Sequence, residues 1–147
     1  MKRLILLIVL LIGALCNVSA QDRLHPAHTP TSKSDEIQSF ITQMCNNKLY
    51  EDYAFLQKHC SAELLKKLRD AYPYDTDGIA YATWLFRSGQ QDSKPGADDK
   101  TIMLEIKADG DWFVYTALDM GWKFTNKIKI TNKGGEIVIE DVCTIKE

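Results

Sequence analysis

TIMLEIKADGDWFVYTALDMGWKFTNKIKITNKGGEIVIEDVC (residues 101–143) is the stretch whose reading decides the fold. Apolar and polar residues alternate along it, the two-residue period of half-buried strands. Asp109-Gly110 is a strong two-residue hairpin signal between Thr101–Ala108 and Asp111–Leu118, since such turns need residues that tolerate positive φ. Met120-Gly121 supplies a second turn and Asn132 to Gly135 a third. The pattern predicts a four-stranded antiparallel meander running to the C-terminus.

Turn lengths carry a register with them. A two-residue loop at Asp109-Gly110 sets Ile106 opposite Phe113, Leu104 opposite Tyr115 and Ile102 opposite Ala117. The same loop length at Met120-Gly121 sets Ala117 opposite Phe124, Tyr115 opposite Asn126 and Phe113 opposite Ile128. Four loop residues at Asn132–Gly135 set Ile128 opposite Ile139, Asn126 opposite Asp141 and Phe124 opposite Cys143. A two-residue Gly134-Gly135 turn would instead bring Asp141 opposite Ile128. One face is then rich in Ile, Leu, Phe and Tyr. The reverse face carries Lys123, Lys127 and Lys129, with Lys127 opposite Glu140 as a cross-strand ion pair.

In that register Leu104, Tyr115, Asn126 and Asp141 run in a line across the apolar face. A phenol, an amide and a carboxylate stranded there must find partners. One reading is the floor of a ligand pocket, with Phe113 and Phe124 as apolar wall and the three polar groups orienting the ligand. A desolvated Asp141 would have a raised pKa and could act as a base. The other is a satisfied polar cluster, or residues meeting water at the open end of the sheet. On the reverse face Trp112, Val114, Met103 and Leu118 form an apolar patch, a site for a homodimer or partner contact.

The preceding residues read as helices. Ser34 is placed to cap the first, with Asp35 and Glu36 at its positive end and Ile37, Phe40, Ile41 and Met44 on one face. Leu49 to Lys58 forms a shorter second, with Tyr53 and Leu56 inward. Ser61 caps a third, where Leu64, Leu65, Leu68 and Tyr72 make the buried stripe and Pro73 ends it. Ile79 to Phe86 is β-branched and aromatic and reads as a strand, although its length also suits a short helix. Helices first and a curled antiparallel sheet afterwards make an α+β domain, with the helices on one face of the sheet.

The N-terminus carries an address. Lys2-Arg3, an apolar run from Leu4 to Leu15, and Val18-Ser19-Ala20 read as a signal peptide over residues 1–20, cleaved before Gln21. Residues 21–33 are polar and proline-bearing, a flexible leader, so the domain spans 34–147. Periplasmic or secreted export follows, with no membrane anchor after cleavage. Lipidation at Cys16 is disfavoured, because Leu15 precedes it where a small residue is wanted. Cleavage leaves sixteen basic groups against twenty acidic ones, a balance that argues against gripping nucleic acid or anionic membrane.

Cleavage also leaves Cys45, Cys60 and Cys143, an odd set for an oxidising compartment. Cys45 with Cys60 is the expected disulfide, and three small buried hydrophobes is the competing reading. His25 and His28 read as solvated leader residues. Asp75-Thr76-Asp77-Gly78 opens like a calcium loop but lacks the later oxygen ligands, so no metal is expected. Trp84, Trp112 and Trp122 are explained by packing. No GxSxG, HExxH, Walker or CxxC pattern occurs, and no cofactor is implied.

FLQKHCSAELLKKL (residues 55–68), the DTDG turn, QQD (residues 90–92) and a meander ending EIVIEDV (residues 136–142) together resemble exported NTF2-like domains. These are cystatin-like α+β domains of uncharacterised Bacteroidetes families, and the resemblance covers about residues 34–143. It implies a cone in which helices wrap a strongly bent sheet around a cavity. Ketosteroid isomerase and scytalone dehydratase, members of the wider fold, place an acid or a His–Asp pair in that cavity. This chain offers Asp141 and Tyr115 but no histidine on the meander, so those chemistries do not transfer. The expectation is a non-catalytic exported binder of a small apolar ligand or protein partner. Its rivals are a small lyase, isomerase or hydrolase using Asp141 with Tyr115 and Asn126, and an envelope protein that self-associates through Trp112.

Overall fold

Ser32 starts the first helix, α1 (Lys33–Asn46), two residues before the expected cap. Asp35 sits three residues on, so the Ser32 hydroxyl accepts from the Asp35 N–H (3.1 Å) while the Asp35 carboxylate accepts from the Ser32 N–H (3.2 Å). This reciprocal box satisfies donors that a helix end otherwise leaves bare. The computed structural model describes residues 32–74 and 77–145. The signal peptide, Cys16, His25 and His28 lie outside the described residues, as do Asp75 and Thr76.

The expected second helix is divided. Left-handed Lys48 and extended Asp52 bracket a 3-10 turn, Leu49–Glu51, and the Asp52 carboxylate then caps α2 (Tyr53–His59). Leu56 points inward, but Tyr53 is 41% exposed. Ser61 caps α3 (Ala62–Asp70) as expected, and Leu64 and Leu68 are buried from it. The segment read as a strand forms instead a second 3-10 turn, Thr83–Phe86. Tyr81, Ala82 and Phe86 are all buried, a spacing no alternating strand provides. Ala82 N–H donates to the Leu68 carbonyl at the end of α3 rather than to a neighbouring strand.

Strands β1 (Thr101–Asp109), β2 (Trp112–Asp119), β3 (Trp122–Lys133) and β4 (Glu136–Thr144) form one antiparallel sheet in sequence order. The β2–β3 register is the expected one, with Tyr115 opposite Asn126 and Ala117 opposite Phe124. Met120 and Gly121 both hold positive φ in its turn, and a methyl on Gly121 would sit 2.7 Å from Ala97 Cβ. The β1 register differs. Asp109 pairs with Trp112, so Gly110 and Asp111 form the loop and Ile106 faces Tyr115. A bulge at Leu104 then shifts the ladder by one residue, pairing Ile102 with Leu118 and Met103 with Ala117.

The β4 register differs as well. Lys133 pairs with Glu136 across a Gly134-Gly135 turn, and a second bulge at Glu140 puts Asp141 opposite Lys129 and Val142 opposite Ile128. Lys127 consequently faces Cys143, and its ammonium pairs with Asp109 at 2.8 Å.

Helices and the second 3-10 turn cover the inner sheet face. Ile41, Met44, Leu56, Leu68, Phe86, Tyr115, Ile128, Ile139 and Val142 close the core without exposure. The α2–α3 corner lies along the outer edge of β4. Cys60 bridges to Ile139 in parallel, Ser61 N–H donates to the Ile139 carbonyl at 2.9 Å, and His59 Nδ1 meets the Ile137 carbonyl at 3.1 Å. The domain is α+β, with helices packed on one face of a four-stranded antiparallel sheet.

Candidate functional site

Alternation on β2 and β3 sends Phe113, Tyr115, Ala117 and Asp119 inward from one strand and Phe124, Asn126 and Ile128 from the next. The middle of the expected polar row is therefore present: Tyr115 and Asn126 lie side by side, both fully buried. Its two ends are not. The bulge at Leu104 leaves that side chain 51% exposed. The two-residue Gly134-Gly135 turn takes Asp141 two places from Asn126, and the bulge at Glu140 one place more, opposite Lys129.

Tyr115 and Asn126 face backbone rather than a ligand space. The Tyr115 hydroxyl donates to the Phe86 carbonyl at 2.9 Å, and Asn126 Nδ2 donates to the Leu85 carbonyl at 3.1 Å. Carbonyls at a helical C-terminus have no partner within their own turn, and these two sheet residues provide them. Burial pushes the Tyr115 hydroxyl well above the usual phenol range, so it stays a neutral donor. Asn126 Oδ1 is buried without a partner. Phe113 and Phe124 are buried too, and Phe124 meets Tyr115 edge to face at 6.0 Å.

A second polar assembly, which the sequence reading did not pick out, lies one turn of the meander away. Asp119 is fully buried at the end of β2. Its carboxylate accepts from Arg87 Nε (2.8 Å), the Ser88 hydroxyl (2.7 Å) and the Thr101 hydroxyl (3.1 Å). Thr101 in turn accepts from the Tyr50 hydroxyl at 3.2 Å. Arg87 also reaches Glu51 (3.2 Å) and the Gln90 carbonyl (3.3 Å). One guanidinium thus joins the first 3-10 turn, the loop after the second, and the sheet. An available signal was Asp119 itself, an acid at an inward position of an alternating strand.

Asp141 lies at the edge of the sheet, where Lys67 of α3 donates to its carboxylate and to the Val142 carbonyl, both at 2.7 Å. Its side chain is 37% exposed, so this latch is worth less than about 1 kcal/mol. Asp141→Asn is expected to shift the urea midpoint by no more than that; a loss above about 2 kcal/mol would mean the carboxylate is engaged more deeply.

Cys45, Cys60 and Cys143 are free thiols, in place of the expected Cys45–Cys60 bridge. Cys45 is buried in the core, while Cys60 lies against the outer edge of β4. Burial pushes both thiols up to about 12, which removes the thiolate needed for exchange or alkylation. Of these three, iodoacetamide is expected to modify Cys143 in the native protein and all three in urea, read by peptide mass mapping. Native labelling of Cys45 would contradict its burial.

On the reverse face Trp112, Val114 and Leu118 are half-buried along β2. Met103 does not join them: paired with Ala117 past the bulge, it packs against the core. Ile102, opposite Leu118 and 50% exposed, takes its place. Lys123, Lys127 and Lys129 line the adjacent strand. Open depressions occur elsewhere on the surface. One of about 440 Å³ is lined by Glu36, Ser39, Phe40, Gln43 and Ile137, and another of about 310 Å³ by Trp84, Arg87, Gln90 and Gln91 among others.

Fold and site together define an α+β domain whose buried polar groups clamp its own backbone. No family model matches the chain, and no curated protein does. It is similar to the crystal structure of a protein of unknown function from Bacteroides thetaiotaomicron, at 15% identity and a TM-score of 0.46. That similarity covers 74% of this chain and 92% of the other.

Proposed function

We propose that this chain is an exported, NTF2-like, non-catalytic binding domain that engages a protein partner through the reverse face of its sheet. The observation that carries the reading is the use of Tyr115 and Asn126 to hold the Phe86 and Leu85 carbonyls. The two donors that would orient a ligand in an NTF2-like cavity, the Tyr115 hydroxyl and the Asn126 amide N–H, are already committed to the fold. An apolar surface remains on the outward face: Trp112, Val114 and Leu118, extended by Ile102. Lys123 and Lys129 beside it suit a partner with an apolar ridge and an acidic border.

Export is supported by the basic pair, apolar run and Val18-Ser19-Ala20 of the N-terminus. Fractionation with N-terminal sequencing is expected to recover a mature chain beginning at Gln21. For binding, wild type, Val114→Lys and Tyr115→Phe would be compared by affinity capture from the envelope fraction of the producing cell. Val114→Lys should lose a partner that Tyr115→Phe retains. The converse, loss with Tyr115→Phe at unchanged fold, would return the site to the interior.

A further inference from the structure

The two edges of the sheet are treated differently. Along β4, the α2–α3 corner supplies partners from Ile137 to Glu140. Along β1, cover among the described residues ends at Met103, whose N–H is capped by Asn46 Oδ1 at 2.9 Å. Beyond that point Leu104 to Asp109 are exposed, apart from half-buried Ile106. A two-residue hairpin makes its closing pair, Asp109 with Trp112, one that exchanges hydrogen bonds. The pairs Lys107–Val114 and Glu105–Thr116 then follow in phase, and the N–H and C=O of Ile106 and Ala108 point off the edge.

An open edge is a template for another strand. Proteins guard against this with bulges and with charges of one sign, which make two copies repel. Here the bulge falls at Leu104 and leaves 105–109 regular, and the charges are of opposite sign. Glu105 and Lys107 lie two residues apart on one face and pair with each other at 2.7 Å. Two antiparallel copies of this strand placed about Ile106 would set Glu105 of each opposite Lys107 of the other. Ile106 would meet its counterpart on the inner face, and Leu104 would lie against Ala108.

We propose that a second copy of this chain pairs with β1 along Leu104–Ala108, joining two four-stranded sheets into one of eight strands with a two-fold axis at Ile106. The register is chosen by the two Glu105–Lys107 cross-pairs, each a directly opposed ion pair of the kind that stabilises antiparallel strands. Pairing stops where Asn46 occupies the edge at Met103, so the contact is short and the dimer reversible at high micromolar concentration. This inference does not rest on the reverse-face reading, because the edge and that face are different surfaces.

Sedimentation equilibrium of the purified protein tests it. Wild type is expected to dimerise reversibly. Glu105→Lys and Lys107→Glu should each weaken association about tenfold by opposing like charges. The double exchange Glu105→Lys/Lys107→Glu should restore it, and no simple change in fold would produce that recovery. Ala108→Pro removes an N–H that faces outward and should leave a monomer with unchanged circular dichroism. A monomer at every concentration overturns the proposal. So does a dimer that these variants leave intact, and loss of that dimer with Leu118→Lys, which lies opposite Ile102 and away from Glu105 and Lys107, would assign it to the reverse face. Failure of the double exchange to restore association overturns the register.

Discussion

Replacing Arg87 with methionine is expected to destabilise the domain by about 3–5 kcal/mol, because it strands a fully buried carboxylate. Asp119 keeps its Ser88 and Thr101 hydroxyls in that variant, but neither carries charge. Arg87 also leaves Glu51 and the Gln90 carbonyl behind, so the first 3-10 turn and the loop from Ser88 to Gln90 loosen together. Removing both charges, as Arg87→Met/Asp119→Leu, should cost less than the sum of the two single changes. Buried pairs replaced by apolar residues are often near neutral, whereas half a pair is not. Urea unfolding of the four proteins gives the coupling directly. A single-variant cost below about 1 kcal/mol would show that water or another cation reaches Asp119.

Alkaline pH should erode the stability of the domain from about pH 8.5 upward. Cys45 and Cys60 are held near 12 in the folded chain by burial, against about 8.5 for a free thiol. A raised pKa in an acid means the native state keeps its proton after the unfolded state has lost it. The stability tied to those thiols is therefore complete below about pH 8.5 and is lost as pH climbs towards 12, at about 2–3 kcal/mol per pH unit for the two. Tyr50 and Tyr115, both raised by burial, steepen the fall above about pH 10. Urea midpoints measured across this range should show that slope. Cys45→Ala/Cys60→Ala should flatten its first limb and leave the tyrosine limb. A stability unchanged between neutral pH and about pH 10 would show that the thiols ionise in place.

Local rules carried the sequence reading as far as local chemistry decides structure. Ser61 capped its helix, Leu64 and Leu68 faced inward, and Met120-Gly121 set the β2–β3 register with Tyr115 beside Asn126. Errors entered where two local choices were equivalent. Asp109-Gly110 and Gly110-Asp111 both suit a two-residue loop, and the packed sheet selects the second. The bulges at Leu104 and Glu140 leave no mark in composition, yet each turns part of a strand over. The bulge at Leu104 moved Met103 into the core, and the one at Glu140 turned over Asp141, which the Gly134-Gly135 turn had already taken from Asn126. Arg87 opens a loop with no period and Asp119 closes β2, and only the assembled sheet brings the two together.

The contacts that cover β4 also set an order of events. The α2–α3 corner bonds to a strand 79 residues further along, as between Ser61 and Glu140, whereas β1, β2 and β3 each pair with the strand that follows. The hairpins can close from neighbouring residues alone, but α2 and α3 lack the edge they bond to until β4 has been made. During synthesis α2 and α3 would wait for β4 to emerge. Truncation within β4 should therefore do more than shorten the sheet: it should leave α2 and α3 without a surface to fold against.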